Sequence, residues 1–228
     1  MIPRKAFNMP KPTETNKTYI KVFYPYERRL RDKIRSKRGP TITVSGPSGS
    51  GKTTISKAVA KAMNLKYVAA GQIFREHAKK YGMSLQEFSK FRSKSVDYEM
   101  DVNTMEHAMR GNCVIDARLS GWVAGDWADA KIYIHTPTNL RAERVARRDN
   151  ILKKAALKIN KQRDVEDNKK YKKLYKVDLF DTSIYDIIID NGKLTLAQTK
   201  RTPVKAIRTF LKNKRGAKKK KLKSIKIK

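Results

Sequence analysis

Nine consecutive residues, Gly46 to Thr54, read Gly-Pro-Ser-Gly-Ser-Gly-Lys-Thr-Thr and complete the pattern G-x-x-x-x-G-K-[ST]. Glycines at those positions let backbone N–H groups curl around phosphate oxygens, and a helix starting at the lysine points its positive end at the same place. Lys52 adds a point charge for β- and γ-phosphates, and the Thr53 hydroxyl is suited to ligating Mg²⁺. The same string could close a plain glycine-rich turn, so the flanks decide. Thr41 to Ser45 is short and β-branched, as a buried parallel strand should be. Ile55, Ala58, Val59, Ala62 and Met63 recur at helical spacing. Strand, loop and helix follow in the order phosphate binding needs, so Gly46, Pro47, Ser48, Gly49, Ser50, Gly51, Lys52, Thr53 and Thr54 are all candidates for holding a nucleoside triphosphate.

Four further clusters follow. Gly71-Gln72-Ile73-Phe74-Arg75 comes just after the next strand-like run, and Asp116-Ala117-Arg118-Leu119-Ser120-Gly121-Trp122 closes a later one. Arg141, Arg144, Arg147 and Arg148 crowd one helical segment, and Arg163, Asp167, Lys170, Tyr171 and Tyr175 another. Each has a bland alternative. Asp116 can cap a helix or sit in a salt bridge, and Arg163 with Asp167 at i, i+4 can be an ordinary intrahelical pair. Four arginines on one helix cannot all face one way, and the i, i+4 alignment of Arg144 and Arg148 selects those two. Trp122, Trp127, Met100, Met105 and Met109 are read as packing residues.

Strands placed at 41–45, near 66–69, 112–116, 131–135 and 185–190 alternate with helices. That order calls for a parallel sheet with helices on both faces. About 40 helical residues between the second and third strands, including 84–91 and 97–110, exceed what a crossover needs and suggest a substrate-holding insertion. The charged stretch 138–176 is helical by pattern. A last helix is expected from Pro203 to Lys212 with Thr202 as N-cap. Residues 1–18 read as disordered, and Tyr19 to Tyr26 as extended and aromatic. Over Glu27 to Lys37 only Leu30 and Ile34 share a face, too thin a stripe to hold that segment on a core.

The formal charge of +33 is concentrated at the ends. Residues 1–39 carry 12 Lys/Arg against 3 acids, and residues 193–228 carry 15 with none. Unpaired charge of that density resists burial, so from Lys214 on, the chain is expected to be a solvated tail, with a polyanion such as RNA as one partner. The division expected is a basic extension over 1–39, a globular domain over 40–213 and a Lys-rich tail over 214–228. No apolar run reaches the roughly 20 residues of a membrane span. The single Cys113 is read as a small buried hydrophobe, and His77, His107 and His135 lack metal-ligand spacing. A cytoplasmic monomer fits these features.

Taken in order, the motifs resemble the archaeal-type cytidylate kinases, P-loop nucleoside monophosphate kinases with the same loop, G-x-I-F-R, an acid followed by x-R-L-x-G-W, R-A-x-R, and a helical R-x-x-x-[DE]-x-x-[RK]-Y. The stretch Asp178 to Asp190, with Ser183-Ile184-Tyr185-Asp186, extends the resemblance, which spans about residues 40–212. It implies a P-loop three-layer α/β sandwich on a five-stranded parallel sheet, with an acceptor-binding helical insertion and a lid. It also implies transfer of a phosphoryl group from ATP, with Mg²⁺, to CMP or dCMP. Gly71, Phe74, Arg75, Arg118, Arg163 and Asp167 would hold the acceptor. Lys52, Arg118, Arg144 and Arg148 would serve catalysis, and Thr53 with Asp116 the metal. A nucleic-acid or ribosome-associated NTPase built on the same fold is the alternative.

Overall fold

The computed structural model describes residues 27–30, 34, 39–84, 87, 88, 91, 93–216 and 225–227. The sheet starts at β1 (Thr41–Ser45), which the phosphate loop links to α1 (Lys52–Met63). Next come β2 (Lys66–Ala69), α2 (Ala70–Lys80), α3 (Lys94–Arg110) and β3 (Cys113–Asp116). The short α4 (Ser120–Ala124) and a 3₁₀ turn lead to β4 (Ala130–His135). A helical hairpin, α5 (Thr138–Asp149) and α6 (Lys153–Tyr175), precedes β5 (Ile187–Asp190) and α7 (Leu196–Gly216). Residues Ile225–Ile227 form β6.

All pairings are parallel, in the order β2-β3-β1-β4-β5-β6. The five expected strands are all present. β6 is an addition, because it lies in the segment expected to be a solvated tail. Alternation along β1 shows how the layers form. Ile42 and Val44 enter a core with Ile55 and Val59 of α1 and Ile207 and Phe210 of α7. Thr41, Thr43 and Ser45 face the other layer, where Thr41 Oγ1 donates to Ala108 O at 2.8 Å and Ser45 shares a hydrogen bond with Ser120. Hydroxyls on a strand buried on both sides need such partners. That second layer packs Met105, Met109, Ile115, Leu119 and Val123 together.

Two expectations change. Leu30 belongs to the second core and Ile34 packs against it, so both residues of the thin stripe do rest on a core, while 31–33 and 35–37 lie outside the described residues. The last helix begins at Leu196, seven residues before Pro203, because Thr195 and Gln198 form a reciprocal capping box (Gln198 N to Thr195 Oγ1 3.3 Å, Thr195 N to Gln198 Oε1 2.9 Å). Thr202 is therefore inside the helix. The stretch 138–176 is helical as expected, in two helices that break where Asn150 adopts a left-handed φ of 53°. Their contact is a small core of Ala142, Val145 and Ala156.

Candidate functional site

The phosphate loop leaves β1 at its carboxyl end, where open α/β sheets present their crevice. Its shape requires glycine at Gly49 and Gly51, whose φ values are 74° and 88°. A Cβ at Gly49 would lie 2.6 Å from Arg141 O, and one at Gly51 2.8 Å from Asn191 Nδ2. Neighbouring elements hold the loop carbonyls. Ser50 O accepts from Asn191 Nδ2 at 2.7 Å, Thr136 Oγ1 at 3.1 Å and Arg144 Nη1 at 3.3 Å. Ser48 O accepts from Arg141 Nη1 at 3.2 Å. No side chain caps α1 and no acid lies in its first turn, so its amino end is left for an external anion. Lys52 Nζ donates to Pro47 O at 2.8 Å, and burial lowers its pKa to about 8 against the opposing pull of Asp116.

Across the crevice, Asp116 ends β3. Its Oδ2 accepts from Thr53 Oγ1 at 2.7 Å and from the Tyr67 hydroxyl at 3.1 Å. Burial, then the Asp116 charge, pushes the Tyr67 pKa up, so Tyr67 stays a donor. Two residues on, Arg118 Nη1 meets Asp167 Oδ2 at 2.8 Å and Asp164 Oδ1 at 3.2 Å. Asp164 also binds Arg141 at 2.8 Å, while Arg163 Nε lies 3.8 Å from Asp167 and its guanidinium sits 5.1 Å over the Phe74 ring. Three guanidiniums thus face two carboxylates, and Arg118 Nη2 is buried with no partner. The pairs fix Arg118, Arg141 and Arg163 in place around the two carboxylates.

One cavity of about 1040 Å³ gathers these groups. Of the residues singled out in the sequence, Ser48, Gly49, Gly51, Lys52, Thr53 and Thr54 line it, as do Gly71, Phe74, Arg75, Asp116, Arg118, Arg163 and Asp167. Gly46, Pro47 and Ser50 shape the loop without lining the cavity. Arg144 and Arg148 both reach it, in different ways. Arg144 is tied to Asn191 Oδ1 at 3.0 Å, whereas Arg148 stands at the exposed rim, paired with Asp149 at 2.7 Å. Met105 and Met109 are core, as expected, but Met100 lines the cavity.

Sequence reasoning missed Asp97 and Asp101, which line the far wall from α3. Lys170 Nζ binds Asp97 Oδ2 at 2.7 Å, and the Tyr175 hydroxyl donates to Asp101 Oδ2 at 2.7 Å. Their i, i+4 spacing was the available signal. Asn191 and Thr136, which hold the loop, gave none.

The glycine loop between β1 and α1, on a parallel sheet with β1 flanked by β3 and β4, defines a P-loop α/β fold of the kinase type. A gluconokinase from Sinorhizobium meliloti shares it with a TM-score of 0.55 at 15% identity, over 80% of this chain and 99% of that one. Within that class, the chain belongs to the cytidylate kinase-like family, whose pattern matches residues 41–193. A cytidylate kinase of Methanocaldococcus jannaschii is 45% identical over 157 residues, covering 67% of this chain and 88% of that protein. One from Pyrococcus horikoshii is 46% identical over 154 residues, covering 67% and 80%.

Proposed function

We propose that the protein transfers the terminal phosphoryl group of ATP to CMP or dCMP, yielding ADP and the cytidine diphosphate. The observation that carries this reading is a single cavity with a phosphate loop at one end and the Arg118, Arg163 and Asp167 cluster at the other. The relatives named cytidylate kinase support it. Phosphoryl transfer asks a protein for positioning and for positive charge, with little covalent help. Lys52 and the amino end of α1 hold the triphosphate. Arg75, exposed on α2, and the spare nitrogen of Arg118 are donors for the acceptor phosphate, with Phe74 as an apolar wall. Arg144 and Arg148 bring charge to the donor side, and closure of the α5–α6 hairpin would exclude water.

Two carboxylates at the far wall give a basis for the base. Cytosine presents an exocyclic amine, a hydrogen-bond donor that a carboxylate accepts, where uracil presents a carbonyl. Asp97 and Asp101 are suited to that amine. Thr53 Oγ1 and Asp116 Oδ2 fit Mg²⁺, which takes one or two protein oxygens and completes its shell with phosphates and water. Bound there, the ion would neutralise charge on the phosphate oxygens. An NTPase stimulated only by nucleic acid would have no use for the acceptor half of the cavity. The test is a product assay with ATP, Mg²⁺ and each nucleoside monophosphate in turn. CDP or dCDP as the main product is expected, and ATP turnover unchanged by CMP would refute the reading.

A further inference from the structure

The outer surface of α7 carries a charge pattern that the nucleotide site does not use. Its 21 residues contain seven Lys/Arg and no Asp or Glu. Arg201, Lys205, Arg208 and Lys212 follow at spacings of four, three and four, which puts them on one face, and all are exposed. The row is about 16 Å long at the rise of an α-helix. It lies beside α1, which is also free of acids, and Arg208 bridges the two helices by donating to Ala62 O at 2.6 Å. Lys61 of α1 is exposed near that crossing.

Solvated helix faces usually interleave both signs, because like charges at i, i+4 destabilise a helix by a few tenths of a kcal/mol. Here Arg201 with Lys205, and Arg208 with Lys212, are like pairs with no acid on the helix to offset them. The opposite face of α7 is consumed by the core through Ile207 and Phe210, so no apolar stripe is left to enter a bilayer. The α7 N-terminus, at Leu196 and Thr199, borders the nucleotide cavity, whereas Lys214 donates to Asp129 O at the amino end of the sheet. The row therefore runs down the outside of the molecule and away from the site.

We propose that the exposed face of α7 is a docking surface for the phosphodiester backbone of a nucleic acid, read by charge and independent of the kinase site. Phosphates neutralised by the row would release counterions, so affinity should fall steeply with salt. The test uses the full chain and fluorescence anisotropy with labelled RNA and DNA of equal length at about 50 and 200 mM salt. The variant R201Q/K205Q/K212Q spares the bridging Arg208. It is expected to bind at least about tenfold more weakly at low salt, to lose about three from the slope of log affinity against log salt, and to keep wild-type CMP phosphorylation and melting temperature. The control K154Q/K158Q/K161Q removes the same charge from α6 and should bind like wild type. A full chain that does not bind, or equal losses in both variants, would overturn the proposal, as would preference for anionic vesicles over nucleic acid. Comparison of RNA with DNA identifies the source of the backbone.

Discussion

In Lys52, burial inside the phosphate loop opposes a charge the chemistry requires. Its pKa of about 8 is set first by desolvation. Phosphate oxygens favour the ammonium, so triphosphate binding raises that pKa and takes up a proton wherever the Lys52 amine of the free protein is neutral. ATP affinity is therefore expected to hold below about pH 8 and to fall towards tenfold per pH unit above it. Calorimetry in buffers of different ionisation enthalpy would show proton uptake near pH 8.5 to 9, and a flat affinity to about pH 9.5 would contradict the account. Lys52→Ala should drop transfer by at least about tenfold in a folded protein, since its ammonium is the charge placed for the β- and γ-phosphates while Arg141 and Arg144 are held on the Ser48 and Ser50 carbonyls. On the acceptor side, Arg75→Ala should raise the KM for CMP much more than that for ATP. Loss of a charged hydrogen bond to phosphate costs roughly 1.5–3 kcal/mol. Equal effects on both substrates would move Arg75 away from the acceptor.

The short helix α4 explains why the run from Asp116 to Trp122 is spaced as it is. Asp116 ends β3 in the crevice, Arg118 turns into the cavity, Leu119 turns into the core, and Gly121 passes under Tyr185. A Cβ on Gly121 would stand 2.6 Å from Tyr185 Cε1, and that ring is buried and packed 5.1 Å from Tyr133. Gly121→Ala is thus expected to destabilise the fold by about 1–3 kcal/mol despite the better helix propensity of alanine. Thermal unfolding would measure this, and an unchanged melting temperature would mean the ring can move aside. The same contact shows what could be read in advance. Asp116, Arg118 and Gly121 are recognisable as a string, and the alternation of strands and helices predicts β1 to β5. That Gly121 answers to Tyr185, 64 residues away, could not be read from either segment. Nor could the pairing of Arg118 with Asp164 and Asp167, or of Asp101 with Tyr175, because these join elements that only the fold brings together. The expected start at Pro203 falls seven residues late because a proline at the first helical position is a strong start signal, whereas the Thr195–Gln198 capping box shows itself only in the structure.

Taken whole, the molecule ends its sheet with its own C-terminal residues. Ile187, Ile188 and Ile189 of β5 pair with Ile225, Lys226 and Ile227 in parallel register. Removing that strand would bare a row of unpaired N–H and C=O groups along three successive isoleucines. Such an edge is a template for pairing with another chain, and sequences usually blunt it with charge or proline. Here the blunting is done by a strand that carries Lys226 at its centre. A chain cut after residue 213 is then expected to keep its phosphate loop and cavity yet self-associate as its concentration rises. Light scattering across a dilution series would detect this, and a monodisperse truncated chain would show that β6 is dispensable as a cover. Where the truncated chain self-associates, the strand that looks like an appendage is a solubility device, keeping the hydrophobic edge of β5 from finding its copies.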